Sequence, residues 1–225
     1  EFKRGIFYSH PEQGQLLMVS RKLNEIVFTP EERLCVLQIM LLTSDDDIFL
    51  NAIEIDLQIS KNTALGDMKR LKSLLGKDDL TVRFARKCGY RIYGDEWSQR
   101  VKLMQAISII YKHYGEQVTP ELLGQWHSYL EITRNKIQSV ESYLEIKYTD
   151  EDYYSLIYFV SAILVRVKHG SLINGDRFDD QPDIEQTREY QALYMGNDEF
   201  TQLPKQEKAY VALNLLSAGV RSRSE

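Results

Sequence analysis

Apolar and polar positions along this chain follow two periods, and the switches between them mark its elements. Ala64, Met68, Leu71 and Leu75 recur at spacings of 4, 3 and 4, which puts them on one stripe of a helix. Ser60 stands at the N-cap, with a hydroxyl able to accept from an amide of the first turn. The other faces carry Lys61, Asn62, Leu65, Gly66, Lys69 and Arg70, a slim, basic surface rich in donors. After Gly76 the period falls to two. Leu80 to Phe84 and Tyr90 to Tyr93 alternate, with Arg86, Lys87, Cys88 and Gly89 between them, which predicts a β-hairpin with a cationic tip. Upstream, Glu31 to Thr43 predicts a helix with Leu34, Leu37, Met40 and Leu41 on one side, and Pro30 suits its first turn. Leu50 to Gln58 predicts a second, short helix, turning through Leu57 to Ser60 into the third.

Beyond Gly94 the pattern is helical throughout. Val101, Met104, Ser108 and Tyr111 form one stripe, and Leu103, Ile107, Ile110 and Tyr114 broaden it; a face this wide belongs in a bundle. Gly115 stops that helix. Thr119, Pro120 and Glu121 start another, along which Leu123, Trp126, Leu130, Ile137, Val140 and Leu144 run inward. Thr149 to Asp152 opens a helix that is apolar all round from Tyr153 to Val167, the expected centre of the bundle. Helices over Ile184 to Tyr194 and Lys205 to Val220 complete five. The fold class expected is mainly α. A winged helix-turn-helix, three helices and a two-stranded wing, occupies 30–95. An all-helical five-helix bundle occupies 96–225. Residues 1–29 read as a connector: Glu1 to Tyr8 resembles the last strand of a preceding wing, and a helix follows from Pro11. A plain N-terminal helix packed on the winged unit is the alternative.

Charge sharpens the picture more than composition does. The chain has 225 residues, 43% apolar and 27% charged, enough for two ordinary globular domains. Its net charge is −5, which is unpromising for a nucleic-acid binder until it is divided. Ser60 to Gly94 holds nine Lys and Arg against three Asp, a local +6, leaving nineteen basic and thirty acidic residues, −11, elsewhere. That segregation suits one patch that meets phosphate on a molecule that otherwise avoids it. Two cysteines make neither a disulfide framework nor a metal site, and point to a reducing, cytoplasmic setting. The longest apolar run, Leu156 to Val165, is broken by Ser161 and too short for a membrane span. No glycine-rich phosphate loop, serine elbow or metal-ligand cluster occurs. The Asp45 to Asp47 and Asp179-Asp180 runs fall in loops without neighbouring bases. No catalytic residue, cofactor or metal is therefore expected. The fourteen tyrosines recur at helical spacing, as core and interface residues do.

The run Ile59 to Thr63, then Asp67-Met68 and Leu71, then Lys87 to Glu96 with Arg100, resembles the Mga-like helix-turn-helix that precedes the PTS-regulation domain (PRD) of bacterial sugar-operon regulators. Glu54 departs from it, standing where that pattern has a small residue. The resemblance implies double-stranded DNA as partner. Ser60 would cap the reading helix, and Lys61 would lie on its basic face. Asn62, Leu65 and Lys69 would face bases, with Thr63, Arg70, Lys72, Arg86 and Lys87 on phosphates. The bundle resembles a first PRD through Ala162-Ile163, Arg166, Gly170 and Ile173, and through Leu203-Pro204, Glu207, Tyr210 and Leu213. The resemblance implies a homodimer and, as partners, phosphotransferase-system phosphocarrier proteins that phosphorylate histidines. At the corresponding regulatory positions this chain has Tyr158 and Asn214. Neither offers a ring nitrogen, so His169, at the end of the central helix, is the displaced candidate acceptor. His113 reads as a helix-end cation favoured by the dipole, His127 as a core or rim residue, and His10 as a loop residue. A transcription regulator of a sugar-utilisation operon is the leading expectation, and a virulence-type Mga-like regulator is a variant of it. An RNA-binding antiterminator and a protein-interaction module are the alternatives.

Overall fold

Thr29 starts the first helix, α1 (Pro30–Thr43), with a reciprocal capping box. Its hydroxyl accepts from the Glu32 amide and the Glu32 carboxylate accepts from the Thr29 amide, satisfying two donors that a helix start leaves open. The structure is a computed structural model that describes residues 26–44, 47–117, 126–174, 178 and 182–223. The expected N-terminal strand and connector helix, the helix start at Thr119 with Leu123, His10, and the carboxylates of Asp45, Asp46, Asp179 and Asp180 lie outside the described residues.

α2 (Leu50–Asp56) ends earlier than its apolar pattern implies, because Gln58 takes a left-handed φ of 51°. The chain then turns into α3 (Lys61–Leu75), where the Ser60 hydroxyl accepts from the Thr63 amide at 3.2 Å. Ala64, Met68, Leu71 and Leu75 are all buried. β1 (Thr81–Ala85) and β2 (Gly89–Tyr93) pair antiparallel with Val82 opposite Ile92, and that pair faces the core. Ile48 adds an antiparallel bridge to Tyr90, whose amide donates to the Ile48 carbonyl at 2.7 Å. Gly89 permits it: φ is +59°, and a β-carbon would stand 2.2 Å from the Ile48 carbonyl oxygen.

α4 (Glu96–Tyr114) is capped by Asp95, which accepts from the Ser98 amide. Its inward face differs from the first stripe expected of it. Leu103, Ala106, Ile107 and Ile110 are buried, whereas Met104 and Ser108 are exposed. α1 lies along α4 and takes the broader stripe as its partner. α5 (His127–Leu144) packs against α6 (Asp150–Lys168), capped by Thr149 and buried from Leu156 to Arg166. The single helix expected over 184–194 is instead a 3-10 turn, Pro182–Gln186, followed by α7 (Arg188–Tyr194). Thr187 makes the break: its hydroxyl donates to the Ile184 carbonyl and accepts from the Tyr190 amide. α8 (Lys205–Ser217) stops short of the expected Val220. The chain continues as β4 (Val220–Arg223), antiparallel to β3 (Ile146–Tyr148), a second two-stranded sheet that no alternation announced.

The described residues are thus mainly helical, with two small sheets. Their buried apolar side chains form one cluster that runs from α1 through α8. No helix among them is long and apolar enough to cross a membrane.

Candidate nucleic-acid interface

The placement of α3 rests on one buried charge. Asp67, 3% exposed, accepts from Arg33 Nε at 2.6 Å and from Nη2 at 3.3 Å. Arg33 also donates to the Phe28 carbonyl. A fork of this kind on a planar carboxylate fixes geometry as well as energy, so α1 sets the rotation of α3 about its own axis. The stripe from Ala64 to Leu75 then points inward, and Asn62, Leu65, Gly66, Lys69 and Ser73 point out and are exposed. Leu65 is 45% exposed.

The predicted site residues divide by what already occupies them. Ser60 is a cap, and Thr63 is half-buried with its hydroxyl 2.9 Å from Ser60 Oγ. Arg70 is held by Glu31 at 3.1 Å and stands 4.0 Å from Asp67; that hydrogen bond leads the effects that lower the Glu31 pKa. Arg91 pairs with Asp47 at 2.8 Å, and Asp78 with Lys102 at 2.8 Å. Among the described residues these pairs leave out Lys61, Lys69, Lys72, Lys77, Arg83, Arg86 and Lys87, all of them exposed. Five of these, Lys61, Lys69, Lys72, Arg86 and Lys87, therefore lie on the outer side of α3 and at the hairpin tip without a carboxylate partner among the described residues. Beside the tip, Phe84 is 54% exposed and its ring stands 5.0 Å from that of Tyr90.

Gly66 is unusual on this face. It lies in mid-helix, four residues after Asn62 and three before Lys69, and a β-carbon there would meet nothing within 4 Å. Glycine in such a position costs about 1 kcal/mol relative to alanine. Nothing among the described residues explains it.

A second constellation joins residues that the helix-turn-helix and PRD resemblances named separately. Arg100, with no solvent exposure, donates to Glu207 at 2.6 and 3.1 Å, to Glu96 at 2.8 Å and to the Ser171 carbonyl at 3.0 Å. Its guanidinium lies over the Tyr210 ring, 5.2 Å from the centroid. Glu207 also accepts from the Ile173 amide at 2.8 Å. Arg166 donates to both oxygens of Glu96, at 2.7 and 2.6 Å, to Gln99 at 3.0 Å, and to the carbonyl of Leu42 in α1. Burial would raise the Glu96 carboxyl, but the hydrogen bonds and charges of Arg166 and Arg100 outweigh it and hold its pKa below the ordinary value. Two arginines and two glutamates thus share one dry, charge-balanced cluster.

The regulatory candidates have different surroundings. Tyr158 is 1% exposed, its ring stands 5.5 Å from that of Tyr111, and its hydroxyl has no hydrogen-bond partner among the described residues. Burial pushes its pKa up. Asn214 is half-buried and donates to the Tyr210 carbonyl at 2.7 Å. His169 caps the end of α6 and is exposed. His113 has a partner beyond the helix dipole: its Nδ1 lies 2.7 Å from Glu32, which also accepts from the Tyr114 hydroxyl at 2.8 Å. Contacts that span 34, 81 or 107 residues of chain leave no local periodic signal. A scan of the chain against protein-family models finds no match, and a search of curated proteins finds none.

Proposed function

We propose that this chain is a DNA-binding transcription regulator in which α3 enters the major groove as the reading helix of a winged helix-turn-helix. The observation that carries the reading is the outer face of α3, where Asn62, Leu65 and Lys69 are exposed opposite a fully buried stripe and Lys69 has no carboxylate partner among the described residues. These side chains match base-edge chemistry: an amide for adenine, an apolar surface for a thymine methyl, a cation for guanine. Lys72, Arg86 and Lys87 are then phosphate contacts, which position without specifying. Arg70 exchanges Glu31 for a phosphate.

α4 to α8 are read as a PRD-type bundle that dimerises the protein, so that two α3 helices meet successive half-sites. The convergence of Arg100, Arg166, Ile173, Glu207 and Tyr210 on one cluster supports that reading. Neither Tyr158 nor Asn214 can carry phosphate on a ring nitrogen, so the bundle is a scaffold whose switch at those two positions is lost. His169 is the remaining candidate for a phosphocarrier protein of a sugar-utilisation system. Incubation with a radiolabelled phosphocarrier should label the wild type and spare His169→Ala.

Fluorescence anisotropy of a labelled mixed-sequence duplex, titrated at several salt concentrations, tests the DNA reading. Log affinity should fall linearly with log salt, with a slope of about −0.9 per phosphate neutralised. Lys87→Ala should weaken all sequences alike, whereas Lys69→Ala should narrow the gap between preferred and random duplexes. No binding even at low salt would leave the protein-interaction reading in its place.

A further inference from the structure

Gly66 points to how closely the partner comes, an inference that rests on the DNA reading of α3. Three observations meet at this residue. It shares the outer face with Asn62, Lys69 and Ser73, at the helical offsets of four, three and seven residues. The space around it holds no atom of the described residues within 4 Å of a built β-carbon, so no packing among them requires glycine. Cations without carboxylate partners among the described residues, Lys69 and Lys72 on α3 and Arg86 and Lys87 at the hairpin tip, make the exposed surface complementary to a polyanion. A helix interior disfavours glycine, and glycine is favoured where another backbone or ligand must approach the main chain closely.

We propose that Gly66 is the point of closest approach between α3 and the duplex. There the bare helix backbone lies against the base edges, so that Asn62 and Lys69 on either side reach full depth in the groove. Gly66 thereby sets the depth of reading without making a hydrogen bond of its own. A side chain at this position holds the helix off by the thickness of a methyl group or more, lengthening the contacts of Asn62 and Lys69 together. The phosphate contacts from the hairpin tip lie on another element and keep their charge.

The test uses the full chain and duplexes enriched from a randomised pool by the wild type. Gly66→Ala should raise the melting temperature by about 2–4 °C, the shift expected when an interior helical glycine is replaced in a chain of this size. The same variant should bind the enriched duplexes about tenfold more weakly, the scale of losing one base-pair contact. Gly66→Leu should lose more. Because neither variant alters charge, the salt slope on random duplex should be unchanged, whereas Lys87→Ala should reduce it by about one. A stabilised Gly66→Ala that binds the enriched duplexes as tightly as wild type, with Gly66→Leu likewise, would overturn the proposal and leave the DNA reading intact. A wild-type chain that enriches no duplex would overturn both.

Discussion

Arg100 holds two carboxylates, a carbonyl and an aromatic face with no solvent exposure of its own. Removing one partner from a buried pair strands the other charge in a dry site, and such losses run to about 3–5 kcal/mol. Arg100→Met should therefore lower unfolding stability by that amount in urea, and a loss under about 1 kcal/mol would mean that Glu207 finds water. Arg70→Ala, by contrast, breaks an exposed pair and should cost less than about 1 kcal/mol. Glu32 gives a pH signature at the same scale. Burial acts to raise its pKa, but hydrogen bonds from the Thr29 amide, His113, Tyr114 and the Thr29 hydroxyl outweigh it and bring the value to about 2. A depressed folded value contributes stability above the unfolded carboxyl pKa of about 4.3, and that contribution is lost as pH falls through about 2. Melting temperatures of wild type and Glu32→Gln should differ by a constant above that range and converge between about pH 4.3 and 2. A gap that stays constant to pH 2 would show that Glu32 is not held as a carboxylate.

At the level of elements, α3 is set from outside as much as from within. Its N-cap and apolar stripe form it, and Ser60→Ala should cost about 1 kcal/mol. Its rotation comes from Arg33 in α1. On the proposed DNA reading, Arg33→Met should therefore weaken duplex binding beyond its effect on melting temperature, an effect visible when anisotropy is measured well below the melting point. The hairpin depends on Gly89 in the same way. A methyl group there collides with the Ile48 backbone at a positive φ, so Gly89→Ala should cost more than about 1 kcal/mol. Hydrogen exchange should locate the damage at Tyr90, whose amide bonds Ile48. Protection at Tyr90 that survives the substitution would mean that the bridge tolerates a rearranged turn.

For the molecule as a whole, the expected junction at 95/96 is a seam with many stitches. Arg166 of α6 bonds the carbonyl of Leu42 in α1, Glu32 of α1 bonds His113 and Tyr114 of α4, and the apolar cluster is continuous across the junction. Groups that share a buried network and a core unfold together. Thermal unfolding followed by far-ultraviolet circular dichroism and by fluorescence of Trp97 and Trp126 should give one coincident transition. Two separated transitions would mean that the stitches contribute little. The same coupling gives the bundle a physical route to α3: Arg166 to α1, then Arg33 to Asp67.

Elements with complete local signals are legible along the chain. Ser60 and Thr149 cap their helices as their spacing implied, the period-two runs pair around a cationic tip, and the apolar run from Leu156 to Val165 is the buried helix. The outward placement of Asn62, Leu65 and Lys69 was legible for the same reason, since a stripe fixes its own opposite face. Tertiary structure alone decided the rest. It chose which of two apolar stripes α4 buries, because a partner helix and not periodicity makes that choice. It broke the segment 184–194 at Thr187, where a hydroxyl competes with the backbone, and paired Val220–Arg223 with Ile146–Tyr148 across more than seventy residues of chain. It gathered Arg100, Arg166, Glu96 and Glu207 into one cluster, because charges find partners by distance in space, which a one-dimensional pattern does not encode.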